Sequence, residues 1–321
     1  VAAFAVVIAA ALSVSFGARD VEISDIWVAL SSSDTSDFSV VAVRERLPRT
    51  VLALVAGAAL GIAGALMQAI TRNPLADPGI LGINTGAALF VVSGIAFFGI
   101  QTLNQYIWLA LAGAALTALL VYAIGSSGRG GATPLKLALA GAATTAALSS
   151  LVSAVLLPRT EVMNVFRFWQ VGSVSGAEWP ALAQIAPLLA GAALLGFALC
   201  GPINALALGD DVAAGLGVNV AAVRALAAVA GVVLCGTVTA VAGPIAFVGL
   251  MVPHAVRPLT GPDMRWLLPT SALAGAVLLT VADVIGRILG RPGELEAGIV
   301  TVALGAPVLI MIARRAKVRE L

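Results

Sequence analysis

Charge is what this chain has least of. Asp, Glu, Lys and Arg together make up 11% of its 321 residues, against about a quarter in a soluble domain. Hydrophobic residues make up 60%, and the mean hydropathy is +1.05. No single core buries so much apolar surface while leaving so few charges for water. A soluble globular domain is therefore excluded, and the composition is that of an integral membrane protein in contact with lipid. A formal net charge of +2, with no basic tract outside the last eight residues, also excludes nucleic acid as a partner. Lysine occurs twice (Lys136 and Lys317) against sixteen arginines, a bias of high-GC coding rather than a site. The single histidine, His254, follows Pro253 with no second metal ligand at useful spacing, and is expected to cap a helix end. Cys200 and Cys235 fall in apolar runs without a CxxC and read as small buried hydrophobes. No Ser-His-Asp order, no HExxH and no pair of carboxylates within an apolar run is present, so nothing suggests catalysis or a bound metal. The glycine-rich stretch 125–136 lacks the Lys and Ser/Thr that a phosphate-binding loop needs after its last glycine. If ATP drives this protein, a separate chain hydrolyses it.

What is present is a series of apolar runs. Ten spans are expected, near 1–17, 49–71, 79–99, 106–125, 134–157, 180–200, 220–241, 243–258, 267–289 and 297–314. Most are long enough to cross about 30 Å of hydrocarbon at about 1.5 Å per residue. The first reads as a transmembrane helix lacking its N-terminal end, with a signal peptide as the alternative. The eighth is short and holds Pro244 and Pro253, so a bent or partial helix is expected there. Backbone broken at membrane depth must be buried in protein or line a cavity. The basic C-terminus (Arg314, Arg315, Lys317, Arg319) suggests a cytoplasmic end, and ten spans then put both termini in the cytoplasm.

That topology places Arg44, Arg46, Arg49, Arg159, Arg167, Arg287 and Arg291 on the outer side. Two explanations stand: an acidic partner, or arginines snorkelling at the interface. Asp283, the one acid inside an apolar run, sits four residues before Arg287. An i,i+4 ion pair explains it more simply than a transport role. Glycines at 57, 61 and 64 lay a flat stripe on one helix face, where a neighbouring helix can approach closely. VAG at 55–57 and PLADPGIL at 74–81 are echoed by VAG at 229–231 and PIAFVGL at 244–250. The two copies run in opposite directions through the expected topology, which is an inverted repeat of the kind transporters use. The loop 201–224 is long for a connector and reads as short helices, so it is expected to be a docking surface.

In order along the chain, RLPRT, GALMQ, NPLADPG, LGINTGA, ALALGDDVAAGLGV, AGPIAFVGLMVPHAVR, ALAGAVLLTVADVIGR and GIVTVALGAPVLI resemble the membrane subunit of FecCD-type ABC importers. Those importers carry iron–siderophores, haem or vitamin B12. The resemblance covers nearly the whole chain and implies one all-α permease domain, 1–321, of about ten helices with the type II ABC importer fold. It implies a second permease subunit (usually an identical copy), two cytoplasmic ATPases that hold ATP and Mg²⁺, and a periplasmic or lipid-anchored binding protein. The location it implies is a bacterial inner membrane. Carried over by motif, Arg46, Arg49 and Arg287 receive acidic groups of the binding protein. Asp210, Asp211, Gly215, Leu216 and Gly217 form the coupling contact with the ATPase. Thr144, Thr145, Ser149, Ser150 and Ser153 on the fifth helix face the pathway, with helix packing as the alternative. The cytoplasmic gate falls at Thr133, Pro134 and Leu135, where Pro134 departs from the hydroxyl residue of the family's B12 importers. Ferric siderophore is the expected cargo, with haem or cobalamin as alternatives. An ion-coupled secondary transporter is the alternative of another class, with only Asp283 to serve it.

Overall fold

The structure is a computed structural model that describes residues 2–17, 23–31, 37–74, 76–100, 102–127 and 133–318. Of the basic C-terminus used above for orientation, Arg319 and the side chains of Arg314, Arg315 and Lys317 lie outside the described residues. The described residues hold fourteen α-helices and one 3₁₀ turn, with no strand. In order they are α1 (Ala2–Ser15), α2 (Ile23–Ser31), α3 (Phe38–Thr71), α4 (Ile83–Phe98), α5 (Leu103–Ser126), α6 (Pro134–Leu156) and α7 (Thr160–Gln170). There follow α8 (Trp179–Ala198), α9 (Cys200–Ala207), α10 (Asp210–Gly215), α11 (Val220–Ala242), α12 (Val248–Thr260), α13 (Met264–Leu289) and α14 (Ala297–Val318). Six helices (α3, α5, α6, α8, α11 and α13) are long and apolar enough to cross a membrane by themselves. The shorter apolar helices α1, α4 and α14 and the half-helix α12 correspond to the other four expected runs. The protein is an all-α, multi-pass membrane protein.

Helix α3 is the spine. Its glycine stripe meets α13 and the start of α12 backbone to backbone. A Cβ at Gly57 would fall on the carbonyl of Gly275, and one at Gly64 on the carbonyl of Gly249. With no side chain between them the helices reach van der Waals contact along their main chains, the packing that stands in for a hydrophobic drive in lipid. The stripe therefore does what its spacing predicts.

Two stretches break the helical pattern, and they are the two copies of the repeat. After α3, Arg72 turns the chain in the left-handed region (φ 50°), and Asp77 caps the 3₁₀ turn Pro78–Leu81 by accepting from the Gly79 N–H at 2.7 Å. Helix α4 then begins well inside the bundle. Asn84 Oδ1 accepts from Thr239 Oγ1 at 2.9 Å, near the far end of α11, although α11 starts beside the end of α3. The connection from α3 to α4, described at 72–74 and 76–82, is thus re-entrant, and the third run is helical from Ile83 rather than from 79. In the second copy, Gly243 and Phe247 take φ of 69° each, and α12 starts against the last third of α3, at Gly64. Because α3 and α11 run in opposite directions, the two breaks enter the bundle from opposite ends. His254 lies within α12 and not at its end, as the helix runs on to Thr260.

Two other expectations shift. The second span begins at Phe38, not 49, so Arg46 and Arg49 lie inside a helix and not at its mouth. The early turns are supported by burial of Val40 and Val43 with Ala29 of α2, a contact invisible in the local hydropathy. The loop 201–224 is helical at both ends: α9 follows α8 at once, and α11 takes over at Val220, which leaves 208–219 around α10 as the connector. Cys200 and Cys235 are buried free thiols, as expected.

Candidate functional site

Three places along the bundle carry polar chemistry. At the end where α3 enters, α1, α3 and α13 share a dry ionic cluster. Asp283 is fully buried and receives two guanidinium groups. Arg49 donates Nε (3.1 Å) and Nη2 (2.8 Å) to Oδ1, and Arg287 reaches Oδ2 at 2.9 Å from one turn further along α13. Arg49 Nη1 also donates to Glu294 at 2.7 Å. Arg287 continues into α1, donating to the Ser13 carbonyl (2.9 Å) and to Ser13 Oγ (2.8 Å), which shares a 2.7 Å bond with Thr50. Arg46 donates to the carbonyls of Val14 and Ser15, and Arg291 to that of Gly17. The i,i+4 pair read from the sequence is present. Its second arginine, from a helix more than two hundred residues away, is the part that spacing alone does not reveal.

The three arginines expected to meet a partner's acids are therefore buried: Arg46 is 7% exposed, Arg49 8% and Arg287 1%. Their donors serve the C-terminal end of α1 and the acids of α13 and its following loop. Glu294 is more open than these three, with 32% of its side chain exposed. Of the other arginines expected on the outer side, Arg159 lies 4.8 Å from the Phe97 ring centroid and Arg44 Nε donates to the Ala29 carbonyl. For these two, local bonding accounts for the position.

The second place is a cavity of about 630 Å³ between α4, α6 and α7, roofed by Pro244 of the second break. Its polar lining is Asn84, Thr85, Ser149, Ser153 and Gln170, with Met163 beside them. Of the five hydroxyls expected on the pathway, the structure brings Ser149 and Ser153 to this cavity. Thr144 is buried in packing, Thr145 abuts Gly82, and Ser150 is exposed outside the cavity. Ser150 and Ser153 each bond a carbonyl one turn back, which satisfies them within α6. Helix α7 is the contributor that hydropathy missed. Its eleven residues are too short and too polar to register as a span, yet it supplies Met163 and Gln170. Asn84 carried a signal: it is the lone amide at the start of an apolar run, inside LGINTGA.

The third place is the opposite end. Helix α10 is framed by Gly209 (φ 118°) and Gly217 (φ 82°), conformations that suit glycine. Asp211, Gly215, Leu216 and Gly217 are exposed. Leu208, Val212 and Leu216, just before, within and just after α10, are 66%, 50% and 63% exposed and form an apolar stripe along the connector. Asp210 faces the other way. Its Oδ1 receives Arg72 Nη2 at 2.5 Å and Arg224 Nη2 at 3.0 Å. Nearby, Asp263 accepts from the Arg265 N–H and from Asn204 Nδ2 (2.6 Å), which holds its carboxyl below the usual range. The expected gate residues stand at the start of α6: Thr133 caps it by accepting from the Lys136 N–H, Pro134 occupies the first turn, and Leu135 is 70% exposed.

With this geometry in hand, comparison with known proteins is informative. The model of the FecCD transport family matches residues 5–315. The chain is similar to the ferric enterobactin transport system permease protein FepD of Escherichia coli (strain K12): 45% identical over 311 residues, covering 96% of this chain and 92% of that protein. It is 43% identical to YfiZ of Bacillus subtilis (strain 168), a probable siderophore transport system permease, over 97% of this chain and 94% of that one. A solved structure assigned to the metal-chelate type of ABC transporter, in an inward-facing conformation, superposes with a TM-score of 0.84. Its identity is 28%, and the match covers 98% of this chain and 97% of that one.

Proposed function

Since the chain belongs to the FecCD transport family, whose members are permease subunits and not enzymes, we propose that it is the membrane-spanning half of an ATP-driven importer. It carries a metal chelate inward by alternating access, and its cargo is a ferric siderophore. The observation that carries this reading is the end-to-end likeness to siderophore permeases. The cavity beside α6 supports it: neutral amides and hydroxyls suit the many oxygen atoms of a chelate without trapping it by charge.

In this reading the Arg49 end is external, the α10 end is cytoplasmic, both termini are cytoplasmic and the membrane is the bacterial inner membrane. A second copy of the chain covers the open face of α6, where Ser149, Ser150 and Ser153 stand in an otherwise apolar span. A binding protein delivers the chelate to the outer end. Its acidic groups engage the arginine cluster of Arg46, Arg49 and Arg287 by exchanging with Glu294, because those guanidinium groups are already occupied. Two ATPase chains, which hold ATP and Mg²⁺, dock on the α10 region through the Leu208–Val212–Leu216 stripe with Asp211, Gly215 and Gly217. Thr133, Pro134 and Leu135 close the pathway on the cytoplasmic side.

The test is uptake of labelled ferric siderophore into liposomes holding the chain with its ATPase and binding protein. Uptake that requires both ATP and the binding protein is expected. Hydrolysis without uptake of any ferric siderophore would remove the cargo assignment, and failure to assemble with an ATPase would remove the importer.

A further inference from the structure

Arg72 occupies an unusual position. It is the residue at which α3 ends, it is held in the left-handed region, and its side chain leaves the helix for the α9–α10 connection. There Nη2 donates to the Leu206 carbonyl at 2.6 Å and to Asp210 Oδ1 at 2.5 Å. Arg224, in the first turns of α11, completes the node from the other side. One carboxylate on α10 is thus gripped by the last residue of α3 and by the start of α11. These are the two helices that lead into the two broken stretches.

The mechanical connections beyond the node are short. Three residues before the end of α3, Gln68 Nε2 donates to the carbonyl of Leu250 (3.1 Å) and, more loosely, to that of Gly249 (3.4 Å). That ties α3 to the start of α12. Immediately after Arg72, the re-entrant connection rises to Asp77 and Gly79 and delivers Asn84 to the cavity wall. Asp210 is thus bonded to the residue at which the first break begins, one turn from the Gln68–Leu250 contact just beyond the second break. The exposed stripe of α10 has no part in the node, so the same short helix presents one face outward and fixes the other to the bundle.

We propose that Asp210 and Arg72 form a tether that transmits movement of α10 to the re-entrant segment 72–82 and so to the cavity. Asp210 is a positioning residue in this role, not an ATPase contact as its place in the coupling motif suggests. The inference rests on the importer reading and adds to it the route by which hydrolysis is coupled to transport. A tether of this kind suits two exposed side chains. The pair is about 40–50% exposed, and exposed pairs contribute little to folding, so the link can strain or re-form without loss of the fold.

The experiment uses the complete importer in liposomes and reads three quantities: ATPase co-purification, ATP hydrolysis and siderophore uptake. Arg72→Ala is expected to retain the ATPase and to lower uptake per ATP by about tenfold, the scale of a site-to-site coupling energy. Arg72→Lys, which keeps one donor, should recover part of the ratio, and Arg72→Asp combined with Asp210→Arg should recover more than either single change. In contrast, Leu216→Glu on the exposed face should abolish ATPase co-purification. An unchanged ratio in Arg72→Ala overturns the tether alone. Loss of ATPase binding in Asp210→Asn also overturns it, by making Asp210 a direct contact. Failure of the unaltered chain to retain any ATPase overturns the importer reading and the tether with it.

Discussion

The two ends of the bundle repeat one chemical arrangement, a single aspartate gripped by two arginines, in opposite surroundings. Asp283 is fully buried between Arg49 and Arg287. Asp210 stands between Arg72 and Arg224 with 42% of its side chain exposed. Water decides what each is worth. Two guanidinium groups held in a dry site cannot be left without their acid, so the first cluster fastens α1, α3 and α13 permanently. At the second, solvent screens every charge and hydrates whichever partner is released, so the contact is cheap to break. The same residue types make a joint that is costly to open at one end and cheap to open at the other.

The contrast can be broken most forcefully at Asp283. Asp283→Ala strands two buried guanidinium groups and is expected to cost about 3–5 kcal/mol, read as a large drop in melting temperature of the detergent-solubilised chain. An unchanged melt would mean that water already reaches the cluster. Arg49→Lys comes next. A lysine keeps the charge but loses the fork that spans Asp283 and Glu294, and a loss of about 1–3 kcal/mol is expected in the same melt. Asp210→Ala should change the melt by no more than about 1 kcal/mol; a fall matching that of Asp283→Ala would erase the distinction between the ends. The smallest effect is expected at Asp263. Its carboxyl is held below its ordinary value by the Arg265 N–H and by Asn204. Its contribution is therefore present above the unfolded value of about 4 and is lost as pH falls through the lower folded one. Hydrogen exchange at the α9–α13 contact should rise only in that acid window, and Asp263→Asn should abolish the pH dependence.

Much of this architecture was legible because lipid makes hydropathy an almost sufficient guide: each of the ten apolar runs corresponds to a helix. The glycine stripe was legible for a similar reason, since spacing on a helix fixes which residues share a face. What escaped were features set by distant partners. Nothing near Phe38 reveals that Val40 and Val43 will be covered by α2, so the start of α3 was placed too late. Arg49 and Asp283 are separated by 234 positions, and only the folded chain brings them together. Helix α7 is too short to stand out in a hydropathy trace, although Met163 and Gln170 line the cavity. The motif around Asp210 drew attention to the α10 region without giving the direction of its side chains. Sequence places a residue on a loop, but the direction in which it points depends on Arg72 and Arg224.

The length of α3 carries one more consequence. With 34 residues it is about 51 Å long at 1.5 Å per residue, against about 30 Å of hydrocarbon. Counted back from Thr71, about 30 Å of helix ends close to Arg49, so the turns from Phe38 to Leu47 exceed what one straight crossing needs. The chain therefore carries almost three helical turns beyond one bilayer's worth of helix, and Pro48, which has no N–H to give to the preceding turn, marks where they begin.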